Sequence, residues 1–395
     1  MKEFPLWRSP RAGLLGAALM ALPMIVFSLS PLLGGYLIAL ILFAWPTAVC
    51  LAGLCCGSLP MLMGTAGALL AMGRVFGQQG LLLTAVYLLP VLAAFLYVIV
   101  TRTPFKRGCV MLIVAHVVAL AAVFWLLQQL AGGDLYGRAG QLAMEGLQTW
   151  ELGDTLLYEF YAMRLLELPA SLAEGALVQV PGGYTLSDAA RADLLLSAKA
   201  LVTAVLPTMV PGILVRQSIL GGVGCLLLPL RLGAKLQAKR QGIPDGGDNE
   251  KPDADGDDVP WQAPVKRGPA PIEPDPVPPG FPDLSMPPFR AWHIPQGRGR
   301  YVVIALAVGY MLQVSAVPAL AVAGALLYAA AGAVFTVQGA ALINFMQHTR
   351  NTRPFWRVAV PLLLLSTSLL LIAGVLDQVT NVRGLRKPRE PKEEI

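Results

Sequence analysis

His116, Gln338, Asn344 and Asp377 are polar side chains set within or at the edges of apolar runs, where an unpartnered polar group is costly. An imidazole, two carboxamides and a carboxylate in that setting are the groups that would line a proton or ion pathway, hold a metal or fix a polar ligand. Gly339, beside Gln338, and Arg383, just after Asp377, complete the candidate set. They form no cluster in sequence. His116 is alone in its run, which favours a hydrogen bond to a neighbouring helix over a metal or proton role. Asp377 falls at the end of a run, where an interfacial carboxylate is tolerated without special function.

Motifs for reactions are missing. Cys50, Cys55, Cys56, Cys109 and Cys225 lie in or beside apolar runs, with no CxxC and no histidine at ligand spacing, so they read as small apolar residues and no metal is expected. The chain has no nucleophile elbow, P-loop, dinucleotide fingerprint, HExxH or paired carboxylates. Gly221, Gly222 and Gly224 sit within an apolar run and follow no strand, so they are not a phosphate loop. The expectation is a chain with no cofactor and no catalytic residue, not an enzyme.

The elements that must position the polar groups are long apolar helices. Of 395 residues, 55% are hydrophobic and 14% charged, and the mean hydropathy is +0.62. The apolar residues are gathered into runs of roughly 17 to 25, the length that crosses about 30 Å of hydrocarbon. The spacing predicts spans over Ala12–Leu29, Leu32–Cys56, Leu59–Met72, Leu81–Val100, Cys109–Leu130 and Leu194–Leu232, then Tyr301–Val317, Ala319–Phe345 and Phe355–Leu376. Pro23, Pro46 and Pro90 inside such runs predict kinks. The fold class is an all-α membrane protein, a polytopic bundle of eight to nine transmembrane helices in two modules.

The first module, residues 1–234, is a six-helix membrane module that carries an acidic extracytoplasmic insert over 131–192. Within the insert Leu152, Leu156, Leu157, Phe160 and Met163 share a helical face, and Pro181, Gly182 and Gly183 predict a turn. Residues 235–300 combine seven acids between Asp245 and Asp258 with a proline run from Pro260 to Pro279, which predicts a disordered cytoplasmic linker. Residues 301–395 form a C-terminal module of two to three helices.

The net charge of +6 does not indicate nucleic acid, because Lys and Arg stand at the ends of apolar runs, as the positive-inside rule requires. Lys2, Arg8, Arg11, the Arg102–Arg107 loop and the basic end at Arg231–Arg240 place the N-terminus and the linker in the cytoplasm of a multi-pass inner (plasma) membrane protein. Ala12–Leu29 reads as a retained first helix and not a cleaved leader, since no A-x-A site ends it. With nine spans the tail falls outside; if Tyr301–Phe345 does not cross twice, it falls inside.

Gly13, Ala17 and Ala21 recur every four residues on the first helix, a stripe on which another helix can pack closely, either within the bundle or on a partner. Trp292, His293 and Pro295 stand just before the seventh run as an interfacial anchor.

Trp292-His293-Ile294-Pro295, Val337-Gln338-Gly339 and Gly374-Val375-Leu376-Asp377 with Arg383 carry a resemblance. The chain resembles the YybS-like family of uncharacterised bacterial membrane proteins, whose N-terminal six-helix part is similar in outline to the substrate-binding S components of energy-coupling-factor transporters. The resemblance implies small-residue docking of a coupling subunit through Gly13, Ala17 and Ala21. Its partners would be the lipid bilayer and a membrane protein or small-molecule ligand. The long acidic linker, the added C-terminal module and the lack of an evident polar pocket depart from S components. They leave a non-transporting scaffold for envelope assembly as the alternative.

Overall fold

The computed structural model describes residues 12–29, 34–150, 152–173, 175–180, 183–241, 281–349, 360 and 368–385. The central part of the expected linker, the first part of the ninth expected span and the C-terminal tail lie outside the described residues. Eleven helices and one hairpin are described: α1 (Ala12–Leu29), α2 (Gly34–Cys56), α3 (Ser58–Val100), α4 (Phe105–Leu130), α5 (Leu135–Thr149), α6 (Gly153–Ala162), α7 (Ala170–Ala173), β1 (Leu177–Val180), β2 (Gly183–Leu186), α8 (Asp188–Arg240), α9 (Gln296–Gln313), α10 (Pro318–Thr349) and α11 (Leu369–Thr380). Four helices among the described residues, α3, α4, α8 and α10, are long and apolar enough to cross a membrane, and shorter apolar stretches occur at Ala12–Ile25, Ala44–Cys56 and Leu369–Thr380. The fold is that of an all-α membrane protein with one added hairpin. α9 is not among the four, and the count of eight to nine spans is not reached over the described residues.

α3 contains a break. Gly77 has φ 64 and ψ −154, a conformation that L side chains avoid, and the helix reverses there, which brings Leu81 against Gly73. The two runs expected over Leu59–Met72 and Leu81–Val100 are the two arms. Pro23, Pro46 and Pro90 lie inside helices that continue past them.

Contacts divide the chain into two compact units. The first contains residues 1–123, 214–308 and 327–395. Its core joins Trp45, Val49 and Leu54 of α2, Tyr87, Val91 and Phe95 of α3, Leu112 of α4, Leu226 of α8, and Ala340, Ala341 and Leu370 of α10 and α11. Phe281, Leu284 and Phe289 are buried in the same core.

α8 continues to Arg240, and helices from both the N- and C-terminal parts of the chain contribute to this one core. Phe281, Leu284 and Phe289 supply apolar surface that the residues before them in sequence lack, and burying it docks this segment on the core.

The second unit contains residues 124–213 and 309–326. Asp134 caps α5 by accepting from the Gly137 N–H at 2.9 Å. Leu157, Leu166, Leu186, Leu194, Leu195 and Ala198 form its small core. Of the expected amphipathic face, Leu157 is buried and Phe160 half-buried in this core, while Leu152 and Met163 are exposed. β1 and β2 pair antiparallel with Leu177 opposite Leu186. They flank the expected turn, of which Pro181 and Gly182 lie outside the described residues. Asp154 ties this unit together, pairing with Arg191 Nε at 2.8 Å and accepting from Thr185 Oγ1 at 3.1 Å.

Candidate functional site: a buried arginine clasp

Asp377 and Arg383 form an ion pair inside the first unit. The sequence places both at the end of α11, and local backbone geometry brings them together. α11 closes with Asn381 in the left-handed conformation (φ 51, ψ 46), its N–H bonded to the Asp377 carbonyl, and Gly384 follows with φ 63. This reversal returns Arg383 to the last turn of α11. Arg383 donates from Nη2 to Asp377 Oδ2 at 2.7 Å and from Nε to Asp377 Oδ1 at 3.2 Å. The side chains are 0% and 4% exposed.

The guanidinium also holds the segment before α9. Its Nη1 donates to the Arg290 carbonyl at 2.8 Å and its Nη2 to the Trp292 carbonyl at 2.7 Å. From α10, Gln338 Nε2 donates to Asp377 Oδ2 at 2.8 Å and to Gln378 Oε1 at 3.2 Å, while its Oε1 accepts from the Ile294 N–H at 3.4 Å. These partners fix the amide, because flipping it would turn its oxygen towards the Asp377 carboxylate. One arginine, one carboxylate and two carboxamides thus fasten α10, α11 and the Pro287–Pro295 strap to one point.

The strap is shaped by its own sequence. Trp292 Nε1 donates to the Pro287 carbonyl at 3.0 Å, and its ring lies 5.1 Å from Phe105 and 5.2 Å from Phe289 between centroids. Arg231 of α8 stands over Phe289, 5.5 Å from the ring centroid, and Arg290 meets His348 Nδ1 at 3.2 Å. Further upstream, the Leu284 carbonyl accepts from the Phe105 N–H at 2.9 Å, at the start of α4. Of the expected interfacial anchor, Trp292 is half-buried in this packing, and His293 and Pro295 are exposed.

The remaining candidates fall elsewhere. Gly339 lets α10 and α11 touch along their backbones, and a methyl group there would meet the Leu370 carbonyl and stand 2.9 Å from the Gly374 nitrogen. Asn344 is buried on α10. His116 is buried in α4, its Nδ1 bonded to the Leu112 carbonyl at 2.8 Å and its Nε2 3.8 Å from Cys225 Sγ, so it has an interhelical partner on α8. Among the described residues no group of three or more His, Cys, Asp or Glu is placed to hold a metal ion. Gly13, Ala17 and Ala21 lie away from the packed face of α1. Gly16 meets Met63, and Gly67 of α3 approaches the Met20 backbone so closely that a Cβ would stand 2.6 Å from its Cα, whereas Ala17 and Ala21 are exposed and Gly13 is half-buried.

Sequence reasoning missed Gln378 and the strap's apolar contacts. The signal for the strap was the pair of spacings Phe281-x-x-Leu284 and Phe289-x-x-Trp292 directly after the proline run.

A helical bundle with apolar spans and an internal ion pair defines the class: a multi-pass, mainly α-helical membrane protein. Residues 280–377 match the family described as predicted membrane protein (DUF2232), a stretch that contains the strap, Gln338 and Asp377 and ends six residues before Arg383. No curated protein and no solved structure matches the chain.

Proposed function

We propose that the protein is a scaffold of the inner membrane, with its N-terminus cytoplasmic, that holds partner proteins and does not carry a ligand across the membrane. The carrying observation is the closure of the arginine clasp. Four of the five guanidinium N–H directions of Arg383 are taken by Asp377 and two strap carbonyls. A carrier needs polar groups that face a cavity and exchange partners there. Here the polar groups of the family-matched region hold the fold. Around them Met61, Tyr87, Phe95 and Leu112 fill the first unit's core, each no more than 1% exposed.

A second reading, S-component-like docking with small-ligand binding, is favoured by one observation. α1 packs on α3 through Gly16 and Leu19 and on α2 through Ala12, so the Ala17–Ala21 side of its stripe faces outward, where a partner helix can approach. Affinity purification of the tagged chain in mild detergent, with mass spectrometry of bound proteins and retained small molecules, separates the two. Envelope-assembly proteins without a metabolite support the scaffold. A coupling subunit with its ATPases, or a stoichiometric metabolite, replaces it with the S-component reading.

A further inference from the structure

Away from the clasp, the first unit buries a second group of reactive side chains between α2, α3, α4 and α8. Cys50 and Cys225 are both 0% exposed and lie in one core, and Cys50 follows Thr47, which meets Cys225, by one helical turn on α2. Thr47 Oγ1 lies 3.4 Å from Cys225 Sγ, and His116 Nε2 lies 3.8 Å from it. His116 Nδ1 is bonded to the Leu112 carbonyl at 2.8 Å. A carbonyl oxygen only accepts, so Nδ1 carries the hydrogen and the lone pair on Nε2 faces Cys225. Gly221 makes room for this ring, since a Cβ there would stand 3.0 Å from His116 Cδ2. Tyr87 packs edge-on at 6.1 Å between centroids.

A thiol buried among apolar groups is ordinarily inert. A second thiol and a base directed at the first change that, because one sulfur can be deprotonated in place and the other can resolve it. We propose that Cys50 and Cys225 are a redox pair, a dithiol within the bundle that a lipid-soluble quinone oxidises to a disulfide joining α2 to α8. The oxidant class follows from location. Both cysteines lie in apolar runs, where a quinone dissolves and a water-soluble oxidant does not partition.

The step balances. His116 Nε2 takes the Cys225 proton, and the thiolate adds to a ring carbon of the quinone. Cys50 loses its proton and attacks Cys225 Sγ, forming the S–S bond. The carbon–sulfur bond breaks, its electron pair stays with the ring, and the two protons released by the thiols complete the quinol. Two electrons and two protons leave the thiols, and the quinone receives both pairs.

The test uses the full chain in lipid nanodiscs with decyl-ubiquinone, whose fully substituted ring cannot retain a thiol as a stable adduct. After exposure the protein is unfolded in dodecyl sulfate, alkylated with N-ethylmaleimide and weighed. The reduced chain should take five maleimides, one for each of its five cysteines, and the oxidised chain two fewer. One quinol should form per chain, and peptide mapping should join the Cys50 and Cys225 peptides. His116→Gln should slow the reaction roughly 100-fold, the scale of a lost general base, and Cys50→Ser should abolish it. Retention of all five thiols, a link between other cysteines, or an unchanged rate in His116→Gln overturns the proposal. Should Cys50→Ser not fold, the peptide map of the unaltered chain decides the matter.

Discussion

Replacing Arg383 by Met keeps the length of the side chain and removes its charge, which leaves the Asp377 carboxylate buried without its cation and the Arg290 and Trp292 carbonyls without their donor. Breaking a buried pair by removing one partner costs about 3–5 kcal/mol, a factor of roughly 150 to 4,000 in the folding equilibrium at about 1.4 kcal/mol per tenfold. Asp377→Asn keeps the shape of the carboxylate and leaves the guanidinium uncompensated, so its loss should be of the same order. The double variant buries no net charge and should cost less than the two single losses added together, by about 2 kcal/mol or more. The assay is reversible unfolding of the four proteins in mixed micelles over a dodecyl sulfate titration. Hydrogen exchange of the Leu284–Ile294 amides gives a local readout, because Arg383 holds that strap and its loss should expose the Ile294 N–H first. A coupling below about 0.5 kcal/mol, the range of solvent-exposed pairs, with strap exchange unchanged in Arg383→Met, would refute the clasp.

Gly339→Leu should be more damaging than its apolar character suggests, because the α10–α11 backbones touch at this position; loss of folded, monodisperse protein in size-exclusion chromatography checks it. Phe281→Ala should cost about 3 kcal/mol or more, typical of a buried aromatic truncation, and should raise strap exchange while leaving the second unit's core protected. Asp154→Ala removes a half-exposed pair with Arg191 and should cost about 1 kcal/mol or less, read as faster exchange confined to α6 and β2. Ala17→Leu places a bulky side chain on the outward face of α1, so it should leave thermal stability unchanged; if the S-component-like reading holds, it should also abolish co-purification of a partner, and unchanged co-purification would end that reading.

The apolar helices were legible because hydrocarbon thickness fixes a run length that composition displays directly. Their ends were less so. Gly77 separates two expected spans by one backbone conformation, which sequence suggests only as a small residue between runs. Gln338, Asp377 and Arg383 could be singled out one at a time, because a polar group in an apolar run is conspicuous alone. Their assembly could not be read, since it depends on the left-handed turn at Asn381 and on α10 lying beside α11 through Gly339 and Gly374. The strap was hidden for a different reason. Its prolines continue the composition of the sequence before it, while the carbonyls that Arg383 binds belong to the backbone, which carries no signature in residue type.

That distinction bears on how the family-matched region works. A side chain that binds backbone carbonyls is indifferent to the identity of the residues presenting them, so Arg383 constrains the path of the strap and not its sequence. The strap's side chains instead answer to the aromatic contacts of Phe105, Phe289 and Trp292 and to the Arg231 guanidinium. The path of the strap and the packing of its surface are therefore set by separate groups. Substitution at Phe289 should alter packing against α8 while Ile294 stays bonded to Gln338, whereas loss of Arg383 should release the segment as a whole. A strap fixed in this way presents His293 and Pro295 outward on a backbone that does not depend on them.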